Sequence, residues 1–234
     1  MKKTVSMMIC LLMLLANVLT VFAAETDAYD MPSGAMEATP EELAGADPYD
    51  PLLAVVAEGN GIVPQTLWYS LGMQYYSQQT STSCGPACAR MVLKYLTGTT
   101  YSEATIRNNT NYSSSNGTTL RSLINYIEDE QSDHNYKVYY GSSLSYIMDG
   151  FLVGIRDESA PPICGLREQT AYGFPYNGSG GHFVVIHQVA SDQSAVELYD
   201  PWAGYVNDYS NKTYEVTAQN LYSAYCMVVC GVAF

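Results

Sequence analysis

The chain has 234 residues, 47% of them hydrophobic and 14% charged, which is enough apolar material for one packed domain of ordinary size or two small ones and excludes disorder throughout. Ten Lys and Arg stand against 23 Asp and Glu, a formal net charge of −13, so the clustered cations of a nucleic-acid-binding surface are missing. Six cysteines leave a disulfide framework, a metal site and a reactive thiol all open at this level.

Lys2 and Lys3 precede an apolar stretch that closes on Val21-Phe22-Ala23-Ala24, the pattern of a secretory signal peptide over residues 1–23. A run of about 16 mostly apolar residues is short for a membrane span. Cleavage after Ala23, or after the neighbouring Ala24, discards both lysines and Cys10 and moves the net charge from −13 to −15. No later stretch is long and apolar enough to cross a bilayer. The expectation is a secreted protein, on the extracellular or cell-envelope side, with no stable membrane insertion once the signal is gone.

Residues 24–61 read as an acidic linker or propeptide, with nine acidic residues, no basic ones and no sustained periodicity. A solvated spacer is the preferred reading, because acidic, Pro-containing segments are usually just solvated; the other is a pro-segment that covers the active site until it is cleaved. A short helix at residues 40–44 or an apolar strap at 52–56 offers a means of docking.

A single domain is expected over residues 62–234. Ala87, Cys88, Met91, Val92, Tyr95 and Leu96 fall on one face of a helix over residues 85–96, with Pro86 suited to its first turn. A polar loop at 108–117 leads to Thr118 or Thr119 as the cap of a second helix with Leu120, Leu123, Ile124 and Ile127 on one face. A short strand is expected at 137–140 and a third helix at 144–155. Strands are then expected at 162–166, 182–189, 195–199 and 226–234. Helices first and an antiparallel sheet afterwards make the class α+β.

The segment from Gln78 to Cys88 places Cys84 at the mouth of a helix, where unpaired backbone N–H groups and the positive end of the helix dipole favour a thiolate and can hold an oxyanion. Gly85 is expected to let a substrate approach closely. Gln78, six residues upstream, offers a second oxyanion donor, with Gln79 the near miss. A thiolate needs an imidazole. His182 follows a glycine-rich loop and opens a strand, a position from which it can face a cleft. His187 has the opposite strand parity and faces away, and His134 lies in a polar turn. Asp200, before Pro201 at the end of the next strand, can orient the imidazole across the hairpin.

Gln78-x5-Cys84-Gly85-Pro86-Ala87, then Gly181-His182-Phe183-Val184-Val185, then Asp200-Pro201 resembles the papain-fold cysteine peptidases related to bacteriocin double-glycine leader peptidases. The resemblance covers roughly residues 66–230 and implies a papain-like fold. It implies Cys84 as nucleophile, His182 as general base and acid, Asp200 as orienting group and Gln78 as oxyanion donor, acting on a peptide or protein substrate without a cofactor. No transporter-like membrane segments or nucleotide-binding motif follow, so leader processing during export is not implied.

Other readings stand beside this one. Cys84 as a half-cystine would suit a secreted binding or adhesion module, and the same triad serves cell-wall amide hydrolysis or transpeptidation. Cys88 falls on the buried face of its helix as a small core residue. Cys226 and Cys230 are expected on one face of the last strand, too far apart for a disulfide or a shared zinc ion. The disulfide pairing of Cys88, Cys164, Cys226 and Cys230 stays open, as does the oligomeric state.

Overall fold

The computed structural model describes residues 30–31, 34–47, 66–206 and 212–234. The expected signal peptide at 1–23, Cys10 and the apolar strap at 52–56 lie outside the described residues. In chain order, β1 (Asp30–Met31) and α1 (Pro40–Ala44) belong to the acidic lead, and β2 (Trp68–Ser70) opens the domain. Helices α2 (Cys84–Thr97), α3 (Glu103–Asn109) and α4 (Leu120–Glu130) follow, then the short β3 (Val138–Tyr139) and α5 (Leu144–Arg156). The second half holds β4 (Ile163–Leu166), β5 (Asn177–Gly178), β6 (His182–Ala190), β7 (Ala195–Tyr199), α6 (Pro201–Tyr205), β8 (Thr213–Thr217), α7 (Ala218–Tyr225) and β9 (Val232–Ala233).

β6 is the axis of a seven-stranded antiparallel sheet in the order β3-β9-β4-β6-β7-β8, with β2 paired to β6 as well. Along one edge of β6, β4 takes residues 182–185 and β2 takes 188–190; β7 runs along the other edge. A strand flanked on both edges and covered on its faces has no use for polar side chains, and Phe183 to Ile186 are fully buried.

α2 packs on this strand, with Cys88 Sγ donating to the Phe183 carbonyl at 3.2 Å. Its apolar face buries Ala87, Cys88, Met91 and Val92 completely, and Gly98, at φ 71°, ends it by donating its N–H to the Lys94 carbonyl. α4 starts from Thr119, whose hydroxyl caps the Ser122 N–H, and buries Leu120, Leu123, Ile124 and Ile127 as their spacing predicts. The outcome is the expected α+β layout, with the cysteine helix lying against an antiparallel sheet.

The structure departs from the sequence expectations at several elements. The short strands β1, β2 and β5 and the helices α3, α6 and α7 have no counterpart among the expected elements; α3 buries only Glu103 and Ile106, so it carries almost no hydrophobic period. β8 was likewise not expected; it alternates, but only Val216 among its residues is buried. The stretch at 226–234 is not one strand. Cys226 caps α7, Met227 and Val229 are 38% and 45% exposed, and only Val232 and Ala233 pair in the sheet.

Candidate active site

Cys84 is the first residue of α2 and is 1% exposed. The first intrahelical bond runs from the Ala87 N–H to the Ser83 carbonyl, so the N–H groups of Cys84 and Gly85 precede the helical ladder, and Pro86 carries none. Gly85 does not open a way for substrate, contrary to expectation. A Cβ there would lie 2.6 Å from Thr118 and 2.7 Å from Leu123, so the missing side chain lets α2 press against α4.

His182 opens β6, and Asp200 follows β7. Val185 pairs with Tyr199, which sets Asp200 opposite Val184, on the same strand face as His182 and one diagonal step away. That register brings His182 Nε2 to 2.8 Å from Asp200 Oδ1, and the same oxygen accepts the Trp202 N–H at 2.8 Å, so the carboxylate also caps α6. With Nε2 committed to Asp200, Nδ1 is the ring nitrogen left for sulfur. Burial works against a charge on His182, but the neighbouring Cys84 sulfur and Asp200 outweigh it and hold the imidazolium well above the usual histidine range. Phe183 N–H points at Cys84 Sγ from 3.5 Å.

Gln78 is 3% exposed whereas Gln79 is exposed, which separates the two candidates. Its backbone N–H donates to the Pro201 carbonyl, tying the loop before Cys84 to the element after Asp200. Its Nε2 donates to Thr80 O at 2.8 Å, and its Oε1 is buried without a partner. The loop is held by residues that sequence reasoning passed over. Both carboxylate oxygens of the buried Glu103 accept the Gln79 N–H, and Tyr112 Oη lies 2.9 Å from the hydroxyls of both Thr80 and Thr82.

The comparisons with known proteins bear on this cysteine helix. Residues 72–138 match the model of the peptidase C39 family. The match supports a cysteine peptidase and agrees with the resemblance read from Gln78 and Cys84; it ends before the strand that carries His182. Among solved structures, the chain is similar to the peptidase domain of Streptococcus ComA, described as a bi-functional ABC transporter involved in a quorum sensing pathway. The identity is 20%, the coverage 71% of this chain and 96% of that one, and the TM-score 0.43. Comparison with curated proteins gave no match.

Cys84 is buried partly because the acidic lead returns across it. Gly34 and Ala35 both donate their N–H groups to the Gly181 carbonyl, Met36 donates to Thr118 O, and Thr118 donates to Gly34 O. Farther along, Ala38 donates to Val229 O. A Cβ on Gly34 would sit 2.7 Å from Cys84 Sγ, and one on Gly117 would sit 1.7 Å from the Gly34 carbonyl, so two glycines make this approach possible. α1 follows with a full capping box between Thr39 and Glu42, and Glu42 Oε1 accepts the Thr119 hydroxyl at 2.6 Å. Asp47 finishes the contact: its Oδ2 accepts from Val138 N at 2.8 Å and from Arg121 at 3.0 Å. The helix expected at residues 40–44 is present and docked through these contacts.

The remaining candidates lie elsewhere. His134 lines a cavity of about 390 Å³ with Tyr136 and Phe234, away from Cys84. His187 is the unpaired extra residue of a bulge in β6, stacked on Tyr199 with ring centroids 4.1 Å apart. Burial lowers its pKa to about 4; its Nε2 makes no hydrogen bond, and the nearest carboxylate oxygen, Glu197 Oε1, is 3.9 Å away. A histidine held neutral in the fold stabilises fully above its unfolded value of about 6.5 and ceases to do so as pH falls towards 4. Melting temperature should therefore drop between pH 6.5 and 4, and His187→Phe should flatten that drop; an unchanged slope in the variant refutes the assignment.

Cys84, Cys88, Cys164, Cys226 and Cys230 are all free thiols, only Cys226 being exposed. Burial pushes the Cys88 thiol far up and that of Cys164 to about 12, which fits inert core residues.

Proposed function

We propose that the chain is a secreted cysteine peptidase in which Cys84 is the nucleophile, His182 the general base and acid, Asp200 the orienting carboxylate and Gln78 an oxyanion donor. The observation that carries the reading is the buried His182 imidazole bonded through Nε2 to Asp200 at 2.8 Å, with the buried Cys84 sulfur close enough to help raise its pKa. The thiolate attacks a peptide carbonyl, and the Cys84 N–H and the Gln78 amide, swung from Thr80, receive the oxyanion. His182 passes its proton from Nδ1 to the leaving amine, then takes one from the water that hydrolyses the thioester. A free Cys84 favours this reading over a disulfide-built binding module. The pattern of residues 1–23 supports export.

The same reading makes residues 34–47 an inhibitory pro-segment. The Gly34 carbonyl is committed to the Thr118 N–H, and Gly34 itself packs against Cys84, which supports a segment that blocks the sulfur.

The experiment is incubation with a mixture of defined peptides, with and without an added amine, followed by mass spectrometry of the products. New free carboxyl termini are expected in both arms. Amine-capped products as the main outcome would move the assignment to transpeptidation, and an untouched mixture after the pro-segment is released would move it to a binding module.

A further inference from the structure

Beneath the His182–Asp200 pair lies a second carboxylate that the mechanism above does not use. Glu168 follows β4, is fully buried, and receives the Tyr214 hydroxyl from β8 on Oε1. Its backbone carbonyl accepts the Gly178 N–H at 2.8 Å, which fixes the residue in place. A Glu168 oxygen, an Asp200 oxygen and a His182 ring nitrogen lie within 4.8 Å of one another. Two atoms in this cluster are buried without a partner, Glu168 Oε2 and Asp200 Oδ2.

Two carboxylates this close in a dry site do not both ionise, and a single proton shared between them satisfies both orphaned oxygens. We propose that Glu168 is a positioning residue of the site: protonated on Oε2, it hydrogen-bonds Asp200 Oδ2 and thereby holds Asp200, and through it the His182 imidazole, in line with Cys84. Asp200 Oδ1 is then free to serve His182 and the Trp202 N–H alone, and neither oxygen of Asp200 is left to draw the ring away.

Burial raises the Glu168 pKa to about 8, with the Asp200 charge adding to the effect and His182 and Tyr214 opposing it. The titratable groups facing Glu168 are thus Asp200 at the end of β7, His182 on β6 and Tyr214 on β8, and Cys84 on α2 faces it only through His182. At neutral pH the carboxyl keeps its proton. As pH rises through about 8 the proton leaves, the two carboxylates repel, and Asp200 loses its fixed orientation.

The inference rests on the catalytic reading of Cys84, His182 and Asp200, and its test uses the thiol itself. Full-length protein carrying Glu168→Gln or Glu168→Leu is alkylated with iodoacetamide from pH 5 to 9.5, and the Cys84 peptide is quantified against that of the exposed Cys226. The native Cys84 rate should bend downward near pH 8. Glu168→Gln, which keeps a donor to Asp200 and has no proton to lose, should match the native rate within about threefold at pH 6.5 and lack the bend. Glu168→Leu should lower the Cys84 rate at least tenfold below pH 7, with the gap to the native protein closing above pH 8, while Cys226 is unchanged. A bend that persists in Glu168→Gln, or a Glu168→Leu profile superimposed on the native one, overturns the proposal. If Glu168→Leu fails to fold, the bend in Glu168→Gln decides alone. A Cys84 that reacts no faster with His182 present than in His182→Ala would instead overturn the catalytic reading.

Discussion

Cys84→Ala should lower kcat/KM on any peptide the protein cleaves by about 10⁴-fold or more, because no other group in the site can form the acyl intermediate. The alternatives among the described residues are poor. Cys88 is one turn away, fully buried, with its sulfur committed to the Phe183 carbonyl, and Cys230 is buried against the Ala35 carbonyl. His182→Ala should cost about as much as Cys84→Ala, and the double variant little more than either, since a thiolate and its imidazolium act as one unit. Cys84→Ala should melt near the native temperature because it removes only a sulfur atom, whereas His182→Ala strips the buried Asp200 of its partner and should melt lower, so its activity is read at a temperature where it is still folded. A Cys84→Ala protein within tenfold of native activity places the chemistry on another residue.

The second large effect concerns access. Glu42→Ala combined with Asp47→Ala should raise the rate of Cys84 alkylation at least tenfold relative to Cys226 in the same sample. These two carboxylates anchor the segment at Thr119, Val138 and Arg121 and make no contact with Cys84, and truncation to Ala adds no group near the sulfur. Hydrogen bonds to charged groups contribute about 1.5–3 kcal/mol each, and solvent screening at these half-buried positions reduces that to about 1 kcal/mol apiece. About 2 kcal/mol together multiplies the open population by roughly 30, comfortably above the threshold set. An unchanged ratio of Cys84 to Cys226 labelling would mean that the segment does not gate the thiol.

Much of this site was legible in the sequence because it is built from local signals. A cysteine ahead of a periodic apolar run, a histidine opening an unbroken apolar strand and an aspartate before a proline each announce their position, whereas the bulge at His187 that shifts the β6–β7 register midway leaves no mark in an apolar run buried on both faces. Gln78 could be separated from Gln79 only by burial, which depends on the fold around the loop. Glu168 gave no signal at all. It lies between Arg167 and Gln169 in a stretch that reads as a polar turn, and its role comes from Tyr214 and Asp200, residues brought to it by the sheet. The docking of residues 34–47 was equally hidden, since an acidic segment reads as solvated until its partners Thr119, Arg121 and the Val138 N–H are known to line one edge of the domain. The stretch at 226–234 was misread for the converse reason: apolar composition alone does not distinguish a helix end and an exposed turn from a strand.

The span of the contacts made by residues 34–47 bears on the order in which the protein assembles. β6 and β7 meet through a short hairpin, whereas 195 residues separate Ala35 from Cys230 and 77 separate Glu42 from Thr119. Closing such long loops is entropically slow and becomes favourable only when both landing surfaces, Thr118 at the head of α4 and Gly181 before β6, already stand opposite each other. Those two surfaces are the walls of the cleft. On the pro-segment reading, a formed but uncovered Cys84 therefore precedes the covered one, and the cover is the last part of the fold to be added.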